Sequence, residues 1–136
     1  MLEQWEANRL LHMPKVYTFT TAVTLTEGAD DDYPIESADG TEHFLLDIWA
    51  SSRNYRKARF QLLFRRNVVL ARMCTTTPHT NPDGQRINGP HFHSYHEGYD
   101  DRWAEQLAPF ESTTAALSAF CDRINLPVPK IQGGIS

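Results

Sequence analysis

The sequence predicts an α+β domain: an antiparallel β-sheet of about five to six strands, with an N-terminal and a C-terminal helix packed on one face. Two observations lead to this prediction. Segments that alternate apolar with polar residues are joined by tight-turn sequences, and amphipathic segments stand near both ends of the chain. A chain of 136 residues, 40% of them hydrophobic, can bury a core, so residues 1–136 are expected to form a single domain.

The N-terminal part of the chain predicts a helix followed by a strand. Residues 3–13 have an amphipathic pattern that includes Trp5 on the apolar face and ends before Pro14. Residues 16–25 are rich in threonine, valine and aromatic side chains, which favours a strand. The acidic residues 27–32 are expected to form a loop.

The C-terminal part predicts a second helix. Ser112 or Thr113 can cap a helix that continues to about Ile124. Its apolar face is formed by Ala116, Leu117, Phe120 and Ile124. Two prolines follow, so the helix ends there and residues 131–136 are expected to be a frayed tail.

Asp39-Gly40 is the strongest hairpin signal in the chain. A two-residue turn at this point joins two strands and sets Ile35 opposite Phe44. Because side chains alternate across a strand, Asp47 then lies on the face opposite the apolar one.

A second hairpin is predicted across Arg66-Asn67, joining residues 57–65 to residues 68–75. A two-residue turn there pairs apolar side chains with one another: Phe64 with Val69, Leu62 with Ala71, and Phe60 with Met73. The opposite face then collects Leu63 with Leu70, Gln61 with Arg72, and Arg59 with Cys74. A slip of one residue would bury arginines, so the hydrophobic pattern specifies the register.

The formal charge of −4 conceals a strong asymmetry along the chain. The residues between Ile48 and Pro82 carry seven basic side chains and no acid, so the remainder carries −11. The basic residues are Arg53, Arg56, Lys57, Arg59, Arg65, Arg66 and Arg72. This pattern indicates either an anionic ligand for the basic face or solvated arginines that balance acidic loops nearby.

Composition argues against several classes of protein. No apolar run approaches the roughly 18 residues that a membrane span needs. The first 15 residues lack the apolar segment of a signal peptide. Cys74 and Cys121 are the only cysteines, and they are expected to be free thiols that pack as small hydrophobic side chains. The sequence therefore predicts a cytoplasmic protein without a membrane anchor.

Four of the six histidines lie between residues 79 and 96. In a strand, alternation places His91, His93 and Tyr95 on one face and the apolar Phe92 on the other. The histidine face is therefore expected to be the polar face of the sheet, which also carries Arg59, Arg72 and Asp47. Residues 76–90 form a long loop with an Asn-Pro-Asp-Gly turn, and this loop would bring His79 over the same face.

One use of these residues is metal-free cleavage of RNA. Imidazoles with an ordinary pKa near 6.5 can act as general base on a 2′-hydroxyl and general acid on the leaving oxygen. His91 and His93 are the candidate catalytic pair, assisted by His79. The candidate substrate-binding residues are Arg59 and Arg72 for phosphate, Tyr95 for stacking on a base, and Asp47.

Metal binding is a second use of the same strand. His91, His93 and Glu97 match the first half of a cupin ligand pattern. The second half of that pattern, with its later glycines and histidine, is absent, so neither a metal site nor another cofactor is predicted. A third possibility is no chemistry: a polar sheet face with aromatic and arginine side chains also suits protein docking.

A long motif carries a family resemblance. It comprises His79-Thr80-Asn81-Pro82-Asp83-Gly84, then Gly89-Pro90-His91-Phe92-His93-Ser94-Tyr95-His96-Glu97-Gly98-Tyr99, then Asp101-Arg102-Trp103-Ala104. The motif resembles that of a family of small bacterial and prophage-borne proteins to which no activity is assigned. The resemblance places His79, His91, His93, Tyr95 and Glu97 on the family pattern, and His96 outside it. It implies toxin–antitoxin or defence-related roles and no defined activity.

The leading hypothesis is a small RNA- or phosphate-binding domain, with a metal-free ribonuclease toxin as its catalytic form; whether the protein is an enzyme is left open. Its partner would be RNA or another anionic ligand. The alternative is a non-catalytic protein-interaction module, such as an antitoxin or an inhibitor of a bacterial or phage defence system, whose partner would be a protein.

Overall fold

A computed structural model describes residues 1–19, 22–54 and 56–133. Within these ranges the chain forms two helices, a seven-stranded antiparallel sheet and two two-stranded sheets. The helices are α1 (Gln4–His12) and α2 (Thr113–Arg123). The strands are β1 (Lys15–Tyr17), β2 (Val23–Thr24), β3 (Asp30–Ser37), β4 (His43–Ala50), β5 (Ala58–Phe64), β6 (Val68–Cys74), β7 (His79–Thr80), β8 (Arg86–Ile87), β9 (His91–Ser94), β10 (Ala104–Gln106) and β11 (Ile131–Gln132).

The main sheet has the strand order β1-β3-β4-β5-β6-β9-β10. Every neighbouring pair in it is antiparallel, which confirms the predicted α+β class. The sheet has one strand more than expected because the short strand β10 extends one of its edges. No helix in the described ranges is long and apolar enough to cross a membrane.

The first hairpin has the predicted register, with Ile35 opposite Phe44. Strand β3 begins earlier than expected, at Asp30, so part of the predicted acidic loop is strand. The reason is that β4 continues to Ala50 and offers Asp30 a cross-strand partner in Trp49.

The second hairpin confirms the predicted register away from the turn, where Leu62 lies opposite Ala71. Nearer the turn the prediction is wrong, because Phe64 pairs with Val68 and Leu63 with Val69. The turn contains three residues, two of them arginines with positive φ of 52° and 67°. A bulge after Leu62 then restores the register.

The core lies between the helices and one face of the sheet, as predicted. The Phe120 ring of α2 lies 6.0 Å from Phe60 of β5 and 6.1 Å from Phe92 of β9. Ser112 caps α2 as expected by accepting the Ala115 N–H at 3.0 Å. Trp5 departs from the prediction: it is 61% exposed, and its indole N–H donates to the Glu3 carboxylate.

Lys15 is fully buried where the C-terminal ends of both helices meet. Its Nζ donates to the carbonyl oxygens of Leu11 at 2.7 Å, Met13 at 2.9 Å and Ile124 at 2.8 Å. Terminal helix carbonyls have no partner within the helix, so one ammonium group caps α1 and α2 together. Nothing in the sequence pattern predicts this role.

The chain ends and the segment after β1 differ in part from expectation. Strand β11 pairs in parallel with β2, so residues 131–132 are ordered by the sheet rather than frayed. Residues 134–136 of the predicted tail lie outside the described residues. The predicted strand over residues 16–25 is divided between β1 and β2, and residues 20–21 also lie outside the described residues.

Candidate functional site

The polar face of the sheet carries two rows of side chains that run across five neighbouring strands, β3, β4, β5, β6 and β9. One row consists of Asp32, Asp47, Gln61, Arg72 and His93. The other consists of Asp30, Trp49, Arg59, Cys74 and His91. Both rows pass from carboxylates on β3 to arginine on the central strands and histidine on β9. The register alone therefore brings arginine and histidine together.

The β7–β8 hairpin covers the histidine end of these rows. Asn81 holds it in place: its Oδ1 accepts the Ala104 N–H at 2.9 Å and its Nδ2 donates to the Ala104 carbonyl at 2.9 Å. The buried amide thus pairs with the backbone of β10 as a strand residue would. This contact explains why the Asn-Pro-Asp-Gly turn positions His79 above the sheet.

Three histidines meet beneath this hairpin. The His79 ring lies 4.5 Å from His93 and 5.5 Å from His91, and the latter two are 4.8 Å apart, centroid to centroid. His91 and His93 are 2% and 1% exposed. The structure therefore brings together the three predicted catalytic candidates.

Backbone carbonyls determine which ring nitrogen of each histidine carries the hydrogen. His91 Nδ1 donates to the Gly89 carbonyl at 2.9 Å, and His93 Nδ1 donates to the Asp101 carbonyl at 2.7 Å. His79 Nε2 donates to the Arg102 carbonyl at 2.8 Å. Since a carbonyl oxygen only accepts, Nε2 is the bare nitrogen of neutral His91 and His93. His93 Nε2 is buried and has no hydrogen-bond partner in the described part of the chain.

Burial favours the uncharged form of His91 and His93. Burial and, to a lesser extent, the neighbouring Arg72 charge lower the pKa of His93 to about 3. Burial also lowers the pKa of His91, with smaller contributions from His79 and Arg72. Both rings are therefore neutral at physiological pH.

The two predicted phosphate-binding arginines lie beside the histidines. Arg72 forms an ion pair with Asp101, with Nη1 and Oδ2 2.8 Å apart. The Arg59 guanidinium lies 5.6 Å from the centre of the Trp49 ring. The Nε atoms of both arginines are buried, and neither has a hydrogen-bond partner among the residues that the structure describes.

These side chains line a cavity of about 320 Å³ that we name the histidine–arginine pocket. Its residues are Trp49, Lys57, Ala58, Arg59, Arg72, Cys74, Thr77, Pro78, His79, His91 and His93. Three of these side chains are basic, Lys57, Arg59 and Arg72, and none of the described residues that line the pocket carries a carboxylate. The pocket is thus suited electrostatically to an anion.

Three residues singled out from the sequence lie elsewhere. Tyr95 does not share the histidine face, because it follows the end of β9 and its hydroxyl donates to the Leu2 carbonyl at 2.8 Å. Asp47 lies farther along its row and accepts from Gln61 Nε2 at 2.7 Å. Glu97 accepts the Gln4 N–H at 2.8 Å at the first turn of α1, away from His91 and His93.

Two members of the site, Cys74 and Asp101, are not predicted from the sequence. Cys74 was expected to be a hydrophobic filler, yet its thiol lies with His91 and His93: one ligand atom from each side chain falls within 4.8 Å of the others. Asp101 makes two contacts in the site. Its backbone carbonyl accepts from His93 Nδ1, and its carboxylate pairs with Arg72. The predicted hairpin register already placed Cys74 beside Arg59, so that signal was present. Asp101 stands in the motif that carries the family resemblance, but no local pattern indicates its contacts with His93 and Arg72.

The fold and the pocket define an α+β protein with a histidine–arginine site on the polar face of its sheet. The chain belongs to a family of unknown function, DUF6978, whose model matches residues 2–126. Searches of the curated proteins and of the solved structures find no match.

Proposed function

We propose that this protein binds RNA, or a nucleotide derived from it, through a phosphate group held in the histidine–arginine pocket. The observation that carries the proposal is the pair of arginines, Arg59 and Arg72. Each has a buried Nε–H group without a partner in the described ranges. A buried donor without an acceptor is costly, and phosphate oxygens are the acceptors that guanidinium groups bind best.

The surroundings of the two arginines support an anionic ligand. Lys57 adds a third cation at the rim, whereas the carboxylate of Asp101 is already paired with Arg72. Trp49 also lines the pocket and offers an aromatic surface against which a base can stack. The cavity is at the lower end of the size range of small-ligand sites, which fits one nucleotide.

The same geometry favours binding over cleavage. General acid–base cleavage requires one histidine to be protonated, but burial lowers the pKa of His93 to about 3. The Nδ1 hydrogens of His91 and His93 are committed to backbone carbonyls. The proposal is therefore a binding protein, in which these histidines shape the pocket rather than transfer protons.

The test is fluorescence anisotropy with a labelled single-stranded RNA and chelator-treated protein, at low and moderate salt. We expect salt-sensitive binding, competition by inorganic phosphate, and at least tenfold weaker affinity in Arg59→Gln and in Arg72→Gln. Arg53→Gln is the matched control, since it removes an equal charge from an exposed residue of the same basic segment.

Two outcomes would contradict the proposal. If the wild-type protein binds neither RNA nor phosphate, the protein-interaction hypothesis takes its place and a pull-down becomes the next experiment. If Arg53→Gln weakens binding as much as Arg59→Gln does, the affinity comes from general surface charge and not from the pocket. Gel analysis of the incubated RNA would show whether any cleavage accompanies binding.

A further inference from the structure

The floor of the histidine–arginine pocket contains a second arrangement that phosphate binding does not use. Cys74 ends strand β6, and its register partner on β9 is His91, two residues from His93. One ligand atom from each of the three side chains lies within 4.8 Å of the other two. A thiol and two imidazoles at this separation form a typical set of ligands for a transition metal.

We propose that Cys74, His91 and His93 bind a zinc ion through Sγ and the two Nε2 atoms. This site does not depend on the proposed RNA binding. Zinc bonds of about 2.3 Å to sulfur and about 2.0 Å to nitrogen place tetrahedral ligands roughly 3.3–3.6 Å apart. The three side chains need to close by about 1 Å, which small side-chain rotations can supply.

The orientation of the histidines is the main support for this site. Metal-binding histidines usually donate the hydrogen of the other ring nitrogen to a carbonyl or carboxylate, which aims the bare nitrogen at the metal. His91 Nδ1 donates to Gly89 and His93 Nδ1 to Asp101 in this manner. One nitrogen that the metal would bind lacks any other partner: His93 Nε2 is buried and has no hydrogen bond to the described part of the chain.

The donor set selects the metal. One thiolate with two imidazoles suits zinc better than magnesium or calcium, which prefer oxygen ligands. Arg59 and Arg72 oppose a cation here, and the thiolate that Cys74 would present to bound zinc, together with the Asp101 carboxylate, would offset these two charges. Three protein ligands leave the fourth position of the zinc to water or to an anion in the pocket.

His79 is a neighbour of the site but not one of its ligands. Its Nε2 donates to the Arg102 carbonyl at 2.8 Å, and His79 is not in the group of side chains whose ligand atoms lie within 4.8 Å of one another, which consists of Cys74, His91 and His93. Glu97, the third ligand suggested by the cupin pattern, lies at α1. The ligand set is therefore not the one suggested by the order of residues along the chain.

The test is titration of untagged, chelator-treated protein with zinc, followed by metal analysis after dialysis, and with cobalt(II) as a spectroscopic probe. We expect about one equivalent of zinc, and a thiolate-to-cobalt charge-transfer band with the intense visible bands of tetrahedral cobalt. Cys74→Ser should abolish the charge-transfer band. Cys74→Ser, His91→Ala and His93→Ala should each weaken zinc binding roughly 100-fold or more.

Two control variants separate the site from other metal-binding groups. Cys121→Ser removes the other thiol, which is buried in α2, and His43→Ala removes an exposed histidine. Both should keep the full cobalt spectrum. Circular dichroism of each variant checks that it is folded.

The proposal is overturned if the wild-type protein retains no zinc, if its cobalt complex lacks a thiolate band, or if folded Cys74→Ser binds zinc as tightly as wild type. Should Cys74→Ser fail to fold, the cobalt spectrum of the wild type decides alone, because the band requires a cysteine ligand. The RNA assay uses metal-free protein, so failure of one proposal leaves the other standing.

Discussion

His93 donates its Nδ1 hydrogen to the carbonyl of Asp101 at 2.7 Å, and the carboxylate of the same Asp101 pairs with Arg72 at 2.8 Å. Arg72 and His93 are also register partners on the adjacent strands β6 and β9. A single residue of the segment between β9 and β10 thus orients both a histidine and an arginine of the pocket. This connection makes Asp101 the residue on which the shape of the site depends most directly.

Asp101→Asn should strengthen phosphate binding by about two- to fivefold. The substitution removes the charge that competes with the ligand for Arg72 but keeps the backbone carbonyl that orients His93. The gain is limited because the ion pair is partly exposed, where such pairs are worth about 0.2–1 kcal/mol. Competition of inorganic phosphate against labelled RNA measures it. Glu105→Gln, which breaks the Arg123–Glu105 pair instead, should leave the affinity unchanged; weaker binding in Asp101→Asn would contradict the assignment.

Asn81→Ala should destabilise the protein by about 2 kcal/mol. The variant loses both hydrogen bonds to the Ala104 backbone and the contact with His79, and Asn81 is 5% exposed. Urea unfolding measures the free energy of unfolding. Asn88→Ala, at an exposed residue beyond β8, is the control and should change it by less than about 0.5 kcal/mol. Equal losses in the two variants would show that the amide does not anchor the hairpin.

Lys15→Met should cost about 2–3 kcal/mol of stability. Methionine fills a similar volume but leaves the carbonyls of Leu11, Met13 and Ile124 without their donor. Thermal and urea unfolding both measure the loss. Lys130→Met is the control, because that side chain is exposed and the substitution keeps the backbone carbonyl that accepts the Val23 N–H. Unchanged stability in Lys15→Met would mean that water replaces the ammonium group.

Asp32→Asn should raise stability at pH 7 and have little effect near pH 4. The hydrogen bond with Asp47, then burial and the neighbouring carboxylates, raise the pKa of Asp32 to about 6. The folded state therefore binds more protons than the unfolded state between about pH 4 and pH 6, so wild-type stability falls as pH rises through this window. Above pH 6 the folded wild type contains the ionised form of Asp32, which its surroundings disfavour. Asp32→Asn removes this free-energy cost.

The size of this effect is small because Asp32 is exposed, and we expect at most about 1 kcal/mol. Chemical unfolding at pH 4 and pH 7 measures it in both proteins. Glu27→Gln, an exposed acid of the preceding turn, should show no comparable pH dependence. An Asp32→Asn protein that is less stable than wild type at pH 7 would contradict the prediction.

The hydrophobic pattern was sufficient to predict most of the sheet. Side-chain alternation admits only one register when one face must be buried, and so Leu62 lies opposite Ala71 as expected. The same rule failed near the turn, because the backbone of Arg65 and Arg66 adopts positive φ and adds a residue to the loop. The number of residues in a turn depends on the local backbone conformation, and the alternation of apolar and polar side chains in the strands does not indicate that conformation.

The candidate site was predicted in part. Strand alternation correctly placed His91 and His93 on one face of the sheet. The hairpin register correctly placed Arg59 and Arg72 on that same face. Tyr95 was assigned to the same face because β9 was expected to continue, whereas the strand ends at Ser94. The end of a strand depends on which neighbours remain to pair with it.

By itself, the sequence determined the α+β class, the two hairpins, the apolar face of α2 and the types of residue on the polar face, because each follows from the spacing of apolar side chains along one segment. Only the tertiary structure decided that β6 and β9 are neighbours, and hence that Cys74 and Arg72 meet His91 and His93. It also decided the roles of Lys15, Asn81 and Asp101. Lys15 and Asn81 bond to backbone groups of another element, and Asp101 bonds to side chains on β6 and β9. No local pattern encodes a contact between segments that the fold brings together.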